Sequence, residues 1–196
     1  RREEILNACA ALYQTQSFKE ITLKEIGTHT SFTRTSIYNY FHTKEEIFLA
    51  LLQREYQAWI DDLQALPPAA TPDAFADALA HTLEKRALML KLEAMNLFDI
   101  EDNTRMERLV EFKRVYARSL QVLGRCVAGS FPALTERQVQ EFLYALYPFL
   151  LGVYPYTTAT PNQRQAMAQA GVQPPDLTIY AIVRAFAARQ LRGFGL

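Results

Sequence analysis

The chain has 196 residues, 49% hydrophobic and 21% charged, with a formal net charge of zero. These values describe an ordinary soluble globular protein, with material for one good-sized core or for a small domain joined to a larger one. They exclude a transmembrane helix: the richest apolar stretch, Phe142 to Tyr156, is interrupted by Pro148, Gly152 and Pro155, and a span needs about eighteen uninterrupted residues.

The N-terminal Arg1-Arg2-Glu3-Glu4 leads straight into an amphipathic pattern, unlike a signal peptide. The absence of an initiator Met suggests a start upstream, with a basic extension before Arg1. Cys9 and Cys126 show no metal-binding or redox spacing and fall in apolar-periodic helices. Buried, inert thiols and a reducing cytoplasm fit that usage. Within residues 1–48, Arg1, Arg2, Lys19, Lys24, Arg34 and Lys44 are balanced by Glu3, Glu4, Glu20, Glu25, Glu45 and Glu46. Charge alone therefore does not nominate a nucleic-acid binder.

Apolar residues at Ile5, Ala8, Cys9, Leu12 and Tyr13 predict a first amphipathic helix, ending before Ser17-Phe18. Thr22-Leu23-Lys24-Glu25 reads as a capping box opening a short second helix. Thr33 is placed to cap a third, with Ile37 inward. Thr43-Lys44-Glu45-Glu46 reads as another capping box, opening a long helix over about 44–65 that carries Ile47, Leu51, Leu52, Tyr56 and Trp59 in register. After a Pro-rich linker at 67–72, Thr71-Pro72 starts a helix to about Glu84, and another follows over roughly 86–98. Asn103 to Gly129 is long and amphipathic, with Leu109, Phe112, Tyr116, Leu120 and Leu123 inward. Thr135-Glu136-Arg137-Gln138 opens the next helix, in which Pro148 predicts a kink. Residues 157–173 read as a loop with at most a short helix, and Asp176 as the cap of a last helix with Ile179, Ile182, Val183 and Phe186 inward. The fold class is all-α, divided into a three-helix domain at 1–46 and a larger helical domain at 47–196.

The short helices at about 22–29 and 33–40 are separated by Thr30-Ser31-Phe32, the spacing of a helix-turn-helix. The second begins with small polar side chains, Thr33, Arg34, Thr35 and Ser36, so its N-terminus can enter a major groove without steric conflict. The run Ile26-Gly27-Thr28-His29-Thr30-Ser31-Phe32-Thr33-Arg34-Thr35-Ser36-Ile37-Tyr38-Asn39-Tyr40-Phe41-His42-Thr43-Lys44-Glu45-Glu46 resembles the TetR family of bacterial regulators. The likeness is close over residues 3–52 and departs at Ser31 and Thr35, where that family often has Gly. The resemblance implies that Thr33, Arg34, Thr35, Ser36 and Tyr38 face bases, and that Thr22, Asn39, Tyr40 and Lys44 hold phosphates.

The resemblance also implies a helical effector pocket and a homodimer formed by the last two long helices. Met89, Leu92, Met95, Phe98, Phe112, Tyr116, Tyr144 and Tyr147 are the candidate lining residues, and few charges interrupt their faces, which points to an apolar or aromatic effector. Arg105, Arg108, Lys113, Arg114, Arg118 and Arg125 read as a solvated face. His81 and Glu84 lie one turn apart, but no second such pair exists and no nucleophile motif appears. No catalytic residue, metal site or cofactor is therefore assigned. The leading expectation is a ligand-responsive homodimeric repressor on a palindromic operator, in the cytoplasm and away from membranes. The alternative is a helical small-molecule carrier or enzyme with a purely structural helix-turn-helix.

Overall fold

The computed structural model describes residues 1–31, 34–174 and 176–196, with backbone alone at Arg34 and Thr35. Its helices are α1 (Arg2–Thr15), α2 (Leu23–Thr28), α3 (Arg34–Ile37), α4 (Lys44–Gln64), α5 (Pro72–Glu84), α6 (Ala87–Met95), α7 (Met106–Ser130), α8 (Glu136–Thr157), α9 (Pro161–Gln169) and α10 (Ile179–Arg192). No strand occurs among the described residues, and none of their helices is long and apolar enough to cross a membrane.

Two compact units form. The first combines Arg1–Tyr56 with Met95–Tyr116; the second combines Gln57–Ala94 with Ala117–Leu196. The first unit thus includes an excursion from the middle of the chain. Its core gathers Ile5, Leu6 and Cys9 of α1, Ile26 of α2, Ile37 of α3, and Ile47, Phe48, Leu51 and Leu52 of α4, each at most 1% exposed. Burial pushes the Cys9 thiol up to about 12, which keeps it protonated and inert. Tyr13 and Phe18 both meet the Phe48 ring edge-on, at 5.1 and 4.9 Å.

In the second unit α10 packs on α5 and α8, burying Phe75, Leu79, Leu83, Phe142, Leu146, Val183 and Leu191. Of the caps expected from sequence, Thr135 forms a complete capping box with Gln138. Thr160 and Gln163 form another, opening the short α9 within the segment read as loop. The last helix is capped by Thr178, whose hydroxyl accepts from the Ala181 amide at 3.1 Å, and not by Asp176. α8 stays one helix through Pro148 and Pro155.

The helix expected over 86–98 ends at Met95 and passes into a π-helical turn, Asn96–Ile100. One extra residue per turn rotates everything beyond it around the axis. Phe98, counted inward by α-helical spacing from Met95, is instead 81% exposed.

Trp59 is the largest fully buried side chain of the second unit. Its indole N–H donates to Thr82 Oγ1 at 2.9 Å, and Thr82 in turn donates to the Leu79 carbonyl at 2.7 Å. Thr82→Val keeps the volume and removes the accepting oxygen. It should cost about 1–3 kcal/mol, seen in urea unfolding as a lower midpoint with an unchanged slope.

Candidate nucleic-acid interface

α2 starts where Thr22 is extended and its hydroxyl accepts from the Glu25 amide at 3.2 Å. The reciprocal half of the expected capping box is absent, because the Glu25 carboxylate accepts from Gln16 Nε2 at 2.6 Å. That bond ties the end of α1 to the start of α2. At α4, Thr43 Oγ1 accepts from the Glu46 amide at 3.2 Å, while the Glu46 carboxylate passes over Thr43 to the His42 amide at 2.8 Å. Both threonines cap as expected; neither acid closes its box.

The two N-termini converge. Ile21, Thr22, Leu23, Lys24, Thr43, Lys44 and Glu45 line a cleft of about 380 Å³. First-turn amides without helical partners and two positive dipole ends suit it to an anion. Lys44 builds this cleft as well as charging it. Its ammonium donates to the carbonyls of Phe18 at 2.7 Å and Ile21 at 3.1 Å and lies 4.2 Å from the centroid of the Phe18 ring.

Beyond the cleft, α3 is regular over Arg34–Ile37 and continues as a hydrogen-bonded turn, with Tyr40 N and Phe41 N both donating to the Ile37 carbonyl. The helix expected to reach residue 40 is thus tightened after Ile37. Ile37 and Phe41 are buried, whereas Tyr38 is 40% exposed, Asn39 exposed, and Ser36 and Tyr40 half-buried. Tyr40 and Phe41, one apart, divide as helical spacing requires, whereas Tyr38, three before Phe41, would share its face in a regular helix and is exposed where the chain has become a turn. Thr33 lies outside the described residues, as do the side chains of Arg34 and Thr35.

Three residues of this region make long-range bonds that no local sequence signal gives. Glu4 on α1 accepts from the Ser31 amide at 2.5 Å, fastening the turn between α2 and α3. Glu46 has a side chain with no solvent exposure and accepts from Arg105 twice, Nε to Oε1 at 2.5 Å and Nη2 to Oε2 at 2.9 Å. Arg105, read from sequence as part of a solvated face, is therefore an internal partner. Lys113 and Arg108 of that face also pair, with Glu101 at 2.8 Å and Glu111 at 3.1 Å.

The eight candidate effector residues divide between the units. Met95, Phe98, Phe112 and Tyr116 belong to the first; Met89, Leu92, Tyr144 and Tyr147 belong to the second. Met89 and Leu92 are fully buried, and Tyr147 shares a 2.7 Å hydrogen bond with Ser119. Phe112 and Tyr116 pack edge-on against Tyr56 at 5.8 and 5.9 Å, and Met95 Sδ accepts from Tyr13 Oη at 3.5 Å. Phe98 and Tyr144, at 81% and 70% exposure, lie at the surface. An apolar groove of about 550 Å³ does form in the second unit, lined among others by Pro155, Tyr156, Ala166, Met167 and Val172.

Hydrogen bonds from the amide and hydroxyl of Ser31 hold the Glu4 carboxyl below its ordinary value of 4.5. The folded value is the depressed one, so this contribution to stability is complete above 4.5 and disappears as pH falls through the folded value. Acid titration followed by exchange of the Ser31 amide should show protection lost in that window. Glu4→Gln should already exchange faster at neutral pH and lack the acid step.

Two family profiles match the chain. Residues 5–51 match the bacterial regulatory proteins of the tetR family, and residues 53–195 match the tetracyclin repressor-like C-terminal domain. No curated protein matches in sequence. Among solved structures, a possible TetR family transcriptional regulator of Streptomyces coelicolor A3(2) is 13% identical, with a TM-score of 0.68 over 100% of this chain and 98% of that one. A TetR/AcrR family regulator of Thermobifida fusca is 18% identical, with a TM-score of 0.65 over 99% of this chain and 98% of that one. A fatty acid degradation regulator of Bacillus halodurans is 16% identical, with a TM-score of 0.62 over 98% of this chain and 95% of that one. Those likenesses establish the fold, and the two profiles together cover nearly the whole sequence. The chain belongs to the TetR family and is a DNA-binding transcriptional regulator, not an enzyme.

Proposed function

We propose that the chain is a cytoplasmic homodimeric repressor that grips a palindromic operator and releases it when a small apolar or aromatic effector binds. The observation that carries the DNA-contact part is the cleft shared by the N-termini of α2 and α4, beside an exposed Tyr38 and Asn39. In this reading Thr22, Asn39, Tyr40 and Lys44 hold phosphates and position the protein; Thr33, Arg34, Thr35, Ser36 and Tyr38 meet base edges. Arg34 suits a bidentate contact to guanine, and the Tyr38 ring suits a thymine methyl. Half-sites about 34–36 Å apart suit a two-fold dimer. The effector part rests on the match of residues 53–195 to the tetracyclin repressor-like domain. Release follows by linkage, since an effector that favours a DNA-incompetent form must weaken operator binding.

A selection from random duplex DNA with the purified protein tests the reading and should return a two-fold symmetric site. Lys44 is a poor first probe because it also holds Phe18 and Ile21, so the exposed Tyr38 and Asn39 serve instead. Tyr38→Ala should cost about 1–3 kcal/mol and relax preference at one base pair. Asn39→Ala should weaken all sequences alike. Recovery of no enriched site would sink the operator assignment. Repeating the selection with apolar and aromatic metabolites should reduce recovery with one of them, and indifference to all counts against the effector.

Dimerisation is supported by one stripe of α8. Tyr144, Pro148, Gly152 and Tyr156 recur at four-residue spacing; Tyr144 and Tyr156 are 70% and 75% exposed, and a Cβ on Gly152 would meet nothing. Phe149 lies beside the stripe and stacks on Phe186 of α10 at 4.0 Å. The open position at Gly152 gives a partner helix room for close approach. Gly152→Trp starts from a Cβ position with no neighbour within 4 Å and should obstruct that approach, giving a monomer by light scattering with its circular dichroism retained. A variant that remains dimeric places the interface elsewhere.

A further inference from the structure

We infer that Arg105, some sixty residues outside the helix-turn-helix, is a positioning residue for DNA binding that acts through Glu46 on the N-terminus of α4.

The geometry forms a single chain of contacts within the first unit. Arg105 grips both oxygens of the Glu46 carboxylate, through Nε and Nη2. The same carboxylate accepts from the His42 amide at 2.8 Å, which fixes the corner between α3 and α4. The Glu46 amide donates to Thr43 Oγ1, and Thr43 Oγ1 donates in turn to the Asn103 carbonyl at 3.3 Å. Residues 42 and 43 are therefore held twice from the segment just before α7, by the Arg105 side chain and by the Asn103 backbone. Lys44, next in sequence, lines the cleft.

The holding segment is itself braced. Glu101 Oε1 accepts from Asn96 Nδ2 at 2.7 Å and from Lys113 Nζ at 2.8 Å. Thr104 Oγ1 donates to the Ile100 carbonyl at 2.9 Å, and Asn103 Nδ2 to the Asp99 carbonyl at 3.3 Å. A second acid, Glu107, lies 3.2 Å from Arg105 Nη1 and holds the guanidinium from its other side. Burial opposes the charge on Glu46, yet the hydrogen bonds from Arg105 and His42 overcome it and keep the carboxyl below the usual carboxylate range. A planar fork satisfies both oxygens at once, which an ammonium cannot do. Without Arg105, the carboxylate would have to recruit water or a proton, and either change shifts the His42–Thr43 corner that aims α4 at the DNA.

The role rests on the reading that the cleft of α2 and α4 grips operator phosphate. The test measures the affinity of the full chain for its selected operator by fluorescence anisotropy, at a temperature where circular dichroism shows each variant folded. Arg105→Gln should lose about tenfold in affinity. The double variant Glu46→Gln with Arg105→Gln removes both charges, guards against misfolding of the single variant, and should lose a similar amount. Arg105→Lys, which keeps the charge without the fork, should recover only part. Exchange of the His42 amide should quicken in Arg105→Gln.

Folded Arg105→Gln and double variants that bind within about twofold of the parent overturn the inference, leaving Arg105 a merely structural residue. A parent protein that selects no operator overturns it by a different route. In that case the DNA contacts proposed above fail too, while the His42 exchange result still stands.

Discussion

The first unit depends on one buried carboxylate. Glu46 sits at the third position of α4 with its side chain fully removed from solvent, where an ionised acid is unfavourable unless each oxygen is partnered. Arg105 and the His42 amide supply the partners. Because one partner is the backbone of the α3–α4 corner and the other comes from the segment before α7, satisfying the charge also fixes the corner. The requirement is met within a unit assembled from Arg1–Tyr56 and Met95–Tyr116 together. The excursion from mid-chain delivers the guanidinium, and the Tyr56, Phe112 and Tyr116 rings pack edge-on around the place where it returns.

What was legible in the sequence is what is decided locally. Thr22, Thr43, Thr71 and Thr135 each receive the amide three residues on, so four helix starts can be read from four short windows. The helix-turn-helix spacing and the inward Ile37 and Phe41 belong to the same class. The reciprocal halves of two capping boxes were not legible, since Glu25 and Glu46 found partners on other elements. Glu4 with Ser31 and Glu46 with Arg105 are separated by 27 and 59 residues, and no periodic pattern encodes such pairs. The effector residues show a further limit. Apolar periodicity marks an inward face but not which neighbour it meets, and one π-helical turn was enough to rotate Phe98 out to solvent.

The balanced charge of the N-terminal segment poses a physical problem for a protein that meets a polyanion. Counterion release rewards cations placed against phosphates, and is indifferent to the formal sum over a domain. The structure places Lys24 and Lys44 at a cleft with two helix N-termini. Meanwhile four of the six acids of the same segment are engaged in structural bonds, Glu4 with Ser31, Glu20 with Ser17, Glu25 with Gln16 and Glu46 with Arg105, while Glu45 lines the cleft itself. Each of those bonds fastens a turn or a helix end, so the acids act as fasteners of the frame that carries the cations. Lys44 shows the two roles combined. Two of its three N–H groups bind the carbonyls of Phe18 and Ile21, which fixes where its charge sits before any phosphate arrives. A cation so constrained loses less side-chain entropy on binding than a free surface lysine. Few charges held in place can then replace the many mobile ones that a strongly basic domain would bring.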